Sequence, residues 1–201
     1  MEVKIRKATL QDVDGIVKIH QVAFKGFFLT SLGEKFLRLY YSTFIKSNDG
    51  VVCCAEREGT MAGFSACSYV SRGFNTKLIR SDILGFGLET LRLLFASPKA
   101  IIRLVKNLNK EDNSGVIKDD GTYAELYSIA VNPSCQGWGI GKLLLTVTES
   151  EVKEHNDRIS LTTDFYDNEK TIGFYQSLGY IDYYEFTTYP GRKMWRMIKK
   201  L

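Results

Sequence analysis

The stretch from Ala124 to Leu145, AELYSIAVNPSCQGWGIGKLLL, constrains this chain more than any other. Its pattern predicts a strand over Glu125 to Val131, a turn at Asn132-Pro133, a glycine-rich loop from Gln136 to Gly141 and a helix that starts at Lys142. Gly137, Gly139 and Gly141 alternate, which leaves a row of backbone N–H groups unshielded by side chains. A helix that begins there adds its unpaired N–H groups and the positive end of its dipole to the same space. Such a place holds anions, and phosphate is the usual one.

Spacing excludes two better-known phosphate loops. The dinucleotide fingerprint G-x-G-x-x-G fails because Lys142 stands three residues after Gly139. The P-loop fails twice, with Gln136 in place of its first glycine and Leu143 in place of its Ser/Thr. What remains is Gln-x-x-Gly-x-Gly, as Gln136 to Gly141. With the strand Leu126 to Val131 and Pro133 before it, this resembles the acyl-CoA loop of the GNAT family of N-acetyltransferases. A second segment, Asn168 to Tyr180, is similar to the family's N-x-x-A-x-x-F-Y-x-x-x-G-F, with Thr171 and Tyr180 in place of Ala and Phe. The motifs cover about Thr122 to Phe186. The first 70 residues match only in the order of their elements, and the segment from Arg72 to Asp120 does not match.

The resemblance implies an α/β chain forming one acetyltransferase domain over residues 1–201. Its mixed central sheet would have about seven strands flanked by helices, with a helical insertion at about 72–120 between the third and fourth strands. It implies acetyl-CoA as donor. The pantetheine arm would pair with the backbone of Ile129 to Val131 as with a missing strand, and Asn168 would bond to it. The pyrophosphate would lie on Gln136, Gly137, Trp138, Gly139, Ile140, Gly141 and Lys142. The N–H of Ile129 or of Ala130 would meet the developing oxyanion. The activity implied is acetyl transfer to an amine by direct attack in a ternary complex; the alternative is a non-catalytic acyl-CoA-binding regulatory module.

Acid–base needs then select residues. An amine is mostly protonated at neutral pH and must lose a proton before it attacks. The leaving thiolate belongs to a thiol that titrates near cysteine, about 8.5, so a nearby phenol can protonate it. By the resemblance, Tyr175 is placed for that role. Glu125, at the entry of the strand and in line with Ile129, is a base acting through water or a solvated strand end. Asp164, at the end of the next strand, is the second candidate. His20 and His155, the only histidines, are assigned no role.

A net charge of +4 fits an anionic small ligand and is too weak to argue for nucleic acid. Cys53, Cys54, Cys67 and Cys135 match no zinc spacing, so no metal is expected. They read as small apolar fillers in a reducing compartment, and the chain is expected to be cytoplasmic. Every apolar run is broken by charge before a membrane span is reached.

Before the signature stretch, Val3 to Ala8 alternates as a strand, and Thr9 with Asp12 resembles a capping box for a helix from Leu10 to about Phe24. A second helix is expected over Ser31 to Ile45. The aromatic link Lys25 to Thr30 covers the core or walls the acceptor site. Val51 to Arg57 and Met61 to Val70 form a hairpin, in which Gly63 marks a bulge or a close approach. The insertion reads as two helices, Ser81 to Ala96 and Pro98 to Asn109. With nine basic against six acidic residues, it caps the core, forms a homodimer surface or roofs the acceptor site. After the loop, Glu149 and Lys153 read as an exposed i,i+4 pair. A strand over Arg158 to Asp164, a helix ending at Gly179 and an antiparallel pair around Pro190-Gly191 close the chain.

Overall fold

The computed structural model describes residues 3–96 and 119–201. One mixed seven-stranded sheet runs through them: β1 Val3–Lys7, β2 Gly50–Arg57, β3 Thr60–Ser68, β4 Ala124–Val131, β5 Arg158–Asp164, β6 Ile181–Thr188 and β7 Arg192–Lys200. Their order is β1-β2-β3-β4-β5-β7-β6. Only β4 and β5 run parallel. Helices α1 Val13–Ala23, α2 Phe28–Ser31, α3 Glu34–Lys46, α4 Phe74–Ser81 and α5 Ile83–Ala96 precede β4. Helix α6 Ile140–Lys153 follows it, and α7 Glu169–Ser177 follows β5.

The sheet has a core on each face, as its alternation demands. On one, Ile16, Leu37, Tyr41 and Phe44 of α1 and α3 pack on Val52, Cys54, Phe64 and Ala66. On the other, Ile140, Leu144, Leu145 and Tyr175 of α6 and α7 pack on Cys53, Cys67, Leu126, Ile159 and Met197. Adjacent Cys53 and Cys54 fall on opposite faces, and both are buried free thiols. The hairpin closes through Glu58 and Gly59, both with positive φ. Gly63 is a close approach: a Cβ there would stand 2.7 Å from the Ala130 carbonyl of β4.

Asp12 ties the first strand to the first helix. Its Oδ2 accepts from the Thr9 N–H at 2.7 Å, completing the capping box, while Arg6 donates to both its oxygens at 2.7 and 2.8 Å. The Arg6 hydrogen bonds, opposed by burial, hold the Asp12 carboxyl at about 2. A carboxyl depressed in the folded state stabilises above its unfolded value, about 3.9, and that contribution is lost as pH falls through its folded value. Acid titration of stability is therefore expected to lose on the order of 2 kcal/mol through Asp12 between about pH 4 and about pH 2. Asp12→Asn should remove that part of the slope in urea melts.

The insertion holds more helix than the sequence pattern shows. The helix expected over Ser81 to Ala96 is present as α5, and before it the chain forms α4, started by Gly73 in the left-handed region and anchored by buried Phe74 and Leu78. The chain breaks at Asp82, whose Oδ1 caps α5 by accepting from the Gly85 N–H at 3.0 Å. The helix expected over Pro98 to Asn109 lies outside the described residues. Among the described residues, no helix is long and apolar enough to cross a membrane.

Two further expectations change. The helix expected over Ser31 to Ile45 starts only at Glu34, after Gly33 with φ +89, and the link before it winds into the short α2. Glu149 is not an exposed partner of Lys153: it accepts from Lys199 Nζ at 2.7 Å and from the Tyr180 hydroxyl at 3.0 Å, joining α6 to β7.

Candidate active site

The site begins with a departure. Strands β4 and β5 are partners only through Ala124, Glu125 and Leu126, opposite Ile159, Ser160 and Leu161. Beyond Leu126 the remainder of β4 stays paired with β3 alone. The register with β3 shifts by one residue between Ala66 and Cys67, so Tyr127 is an extra residue on β4. Such a bulge bends and twists its strand, here away from β5.

The alternation then tells which backbone groups are free. The Asn132 N–H donates to the Ala62 carbonyl of β3 at 2.8 Å. Antiparallel pairing repeats every second residue, so Ala130 and Ser128 also turn to β3. The N–H and C=O groups of Ile129 and Val131 face the edge that β5 has left. Of the two N–H groups considered for the oxyanion, geometry assigns this edge to Ile129 and not to Ala130.

The bulge also changes faces. Ala124 and Leu126 lie with Ile129 and Val131 in the α6–α7 core, while Tyr127 and Ala130 lie in the α1–α3 core. Strict alternation puts Glu125 on the face of Ile129; the extra residue puts it on the opposite one. Nor is Glu125 a solvated strand end. Its Oε1 accepts from Arg196 Nη1 at 3.0 Å, its Oε2 accepts from the Ser71 hydroxyl, and its side chain is 13% exposed. Burial, with the Glu125 carboxylate beside it, raises the Tyr127 phenol.

A cleft of about 370 Å³ opens along the free edge, lined by Ile129, Ala130, Val131, Gln136, Gly141, Lys170, Thr171, Phe174 and Tyr175. Helix α6 starts at Ile140, two residues before the expected position. Its first closed turn is the Leu143 N–H on the Gly139 carbonyl, 3.1 Å. The N–H groups of Ile140, Gly141 and Lys142 therefore have no partner within the helix. Gly137 and Gly139 sit at φ +82 and +72, and a Cβ on either would meet nothing within 4 Å. The loop is an open cradle whose backbone only glycine adopts without strain. Trp138 is half exposed beside it, its ring 3.7 Å under the Arg57 guanidinium. The Ile140 side chain is core, so only its backbone faces this site.

Tyr175 is 7% exposed and reaches the cleft from α7, the face of Ile129. Burial pushes its phenol up to about 12, so at neutral pH it is a hydrogen-bond donor. Asn168 lies outside the cleft wall. Its Nδ2 donates to Thr163 Oγ1 at 2.6 Å and to the Asp164 carbonyl at 3.0 Å, closing the β5–α7 turn. Asp164 is held in an ion pair with Arg192. His20 is buried, donating or accepting at Nδ1 with the Tyr41 hydroxyl (2.7 Å), and burial lowers it to about 4. His155 stacks on Tyr69, 3.8 Å between centroids, away from the cleft.

Sequence reasoning missed Lys170, Thr171 and Phe174 as cleft residues. The signal was present: Lys170, Thr171, Phe174 and Tyr175 are spaced i, i+1, i+4, i+5 on one helical face. Among the described residues, no group of three or more His, Cys, Asp or Glu side chains could hold a metal ion.

The geometry has counterparts. A family model described as Acetyltransferase (GNAT) family matches residues 14–180. Among solved structures, the ribosomal-protein-S18-alanine N-acetyltransferase from Escherichia coli superposes with TM-score 0.60 at 18% identity, over 99% of this chain and 94% of that one. The PaiA N-acetyltransferase from Thermoplasma acidophilum in complex with coenzyme A gives 0.60 at 17%, over 100% of both chains. The ribosomal-protein-alanine N-acetyltransferase from Brucella melitensis gives 0.62 at 17%, over 98% of this chain and 99% of that one. At such identities these structures establish a shared fold. Among curated proteins, no relative matches.

Proposed function

The chain belongs to the acetyltransferase (GNAT) family and transfers an acetyl group from acetyl-CoA, and we propose that an amine attacks directly in a ternary complex, with the acceptor and the departing sulfur handled from opposite faces of β4. The observation that carries this reading is the free edge of Ile129 and Val131, with Tyr175 on one face and Glu125 on the other.

Acetyl-CoA fits the residues present, since an unpaired strand edge, a side-chain-free cradle and a helix N-terminus lie along one opening. The backbone of Ile129 and Val131 holds the pantetheine arm, and the N–H groups from Gly137 to Lys142 hold the pyrophosphate. When bound, the cofactor supplies an activated acetyl group. The Ile129 N–H stabilises negative charge as it develops on the carbonyl oxygen. Tyr175 donates to the sulfur. Its phenol is a weaker acid than the thiol it serves, so it assists by hydrogen bonding more than by full proton transfer. Glu125, or Tyr127 relaying to it, receives the amine's proton through a water. Asn168 shapes the turn that carries α7. The buried free thiols of Cys53, Cys54 and Cys67 support a reducing, cytoplasmic setting.

Tyr175→Phe tests the reading. It is expected to lower kcat for thiol release roughly 10- to 100-fold at nearly unchanged acetyl-CoA affinity. The wild-type kcat should show no descending limb from this phenol up to about pH 10, the value of an unperturbed tyrosine. An unchanged rate in the phenylalanine variant would remove Tyr175 from the reaction. Acetyl-CoA binding without thiol release on any amine would leave an acyl-CoA-binding module.

A further inference from the structure

A second cavity, of about 710 Å³, lies on the α1–α3 side of the sheet. The insertion builds one wall with Leu78, Phe86 and Leu91; Phe28, Leu32 and Phe36 build the other. Its floor is Tyr127, the bulge residue of β4, two positions before Ile129 on the same strand. The walls are tied together. The Phe36 and Phe86 rings meet edge to face at 5.9 Å, and Arg92 Nη2 donates to the Leu32 carbonyl at 3.4 Å. The space is therefore part of the fold.

We infer that this chamber takes the body of the acceptor, and that the acceptor is an amine carrying an extended apolar group, alkyl or aromatic. The inference rests on the amine-acetylation reading and names the class of amine. Among the described residues, no charged side chain lines the chamber. Thr90, one of its few polar members, already donates to the Phe86 carbonyl at 2.7 Å. An amino sugar or a polyamine would lose water there with too few groups to replace it. An apolar chain gains by the same burial, and at roughly 30 Å³ per heavy atom the space admits about 20 of them. The cationic end has a destination. Past Tyr127 stands Glu125, in a buried cluster where Glu125 and Asp119 face a single guanidinium, Arg196. A second positive group, the ammonium, is drawn to that end, beside the edge where the acetyl group is presented.

The test is thiol release with n-alkylamines from butylamine to octylamine, against glucosamine and a lysine-containing peptide. Each methylene buried from water is expected to raise kcat/KM roughly threefold, on the order of a hundredfold across the series. Gly87 supplies the variant. It lines the chamber on α5, and a Cβ there would meet nothing within 4 Å. Gly87→Phe puts a ring at a chamber-lining position whose Cβ is unobstructed, and it replaces a poor helix former. It should lower kcat/KM for octylamine about tenfold or more and leave the melting temperature unchanged or raised. A flat alkylamine series, a preference for glucosamine or the peptide, or indifference to Gly87→Phe overturns the inference alone. So does a gain with octanoyl-CoA in place of acetyl-CoA, which would give the chamber to the donor. No release with any amine overturns the transfer reading and this inference with it.

Discussion

Arg196→Met is expected to destabilise the protein by about 3–5 kcal/mol, the cost of leaving buried carboxylates without their counter-charge. Arg196 lies on β7 with an 11% exposed side chain, and it joins four strands. Its Nη1 donates to Glu125 on β4 at 3.0 Å and to Ser160 on β5 at 3.4 Å; its Nε donates to the Tyr184 hydroxyl on β6 at 2.9 Å. Asp119, 6% exposed, lies 3.6 Å away and accepts from the hydroxyls of Tyr123 and Tyr184. Burial opposes the charge on Arg196, but Glu125 and its other neighbours outweigh it and raise the group above its ordinary value. This cluster sits at the last paired residues of β4 and β5, so it fixes where the two strands part. Arg196→Met should therefore lower the urea midpoint and weaken acetyl-CoA binding together. Adding Glu125→Gln to Arg196→Met should restore part of the stability, because the double variant removes one orphaned charge. A melt of Arg196→Met within about 1 kcal/mol of wild type would show that the cluster is not a keystone.

Gly139→Glu should be the most damaging single change to the donor site, lowering acetyl-CoA affinity about 10²- to 10³-fold. Two terms act together. At φ +72 any side chain costs about 1–2 kcal/mol of backbone strain. A carboxylate then stands at the N-terminus of α6, where the free N–H groups of Ile140, Gly141 and Lys142 attract a phosphate, and repels it. Gly139→Ala separates the terms. It carries the strain without the charge and should lose about tenfold or less in calorimetry. Equal losses in the two variants would place the pyrophosphate elsewhere.

The donor half of the site is legible in the sequence because it is local. The loop, the helix start and the strand before them are consecutive, and the Tyr175 segment carries its own spacing. What was hidden depends on pairing between distant segments. The bulge at Tyr127 arises from a one-residue shift against β3, and nothing in Glu125 to Val131 marks it. That shift moves Glu125 to the face opposite Ile129, which strict alternation cannot foresee. The chamber is hidden for the same reason: α2 and α3 meet α4 and α5 across the fold, with more than 30 residues between Phe36 and Leu78. Asp82 is legible as a candidate cap of α5, beside Ser81, and the structure uses it; α4, with only Phe74 and Leu78 as its buried pair, leaves too short a pattern to read.

The central claim is that β4 receives the donor along the edge that β5 leaves. Backbone amide NMR during titration with acetyl-CoA tests it most directly. The amides of Ile129, Val131, Ile140, Gly141 and Lys142 should shift and gain protection from exchange, while those of Ser128 and Ala130, already turned to β3, change little. Saturating acetyl-CoA that leaves Ile129 and Val131 unmoved, or that perturbs Ala130 in their place, would contradict it.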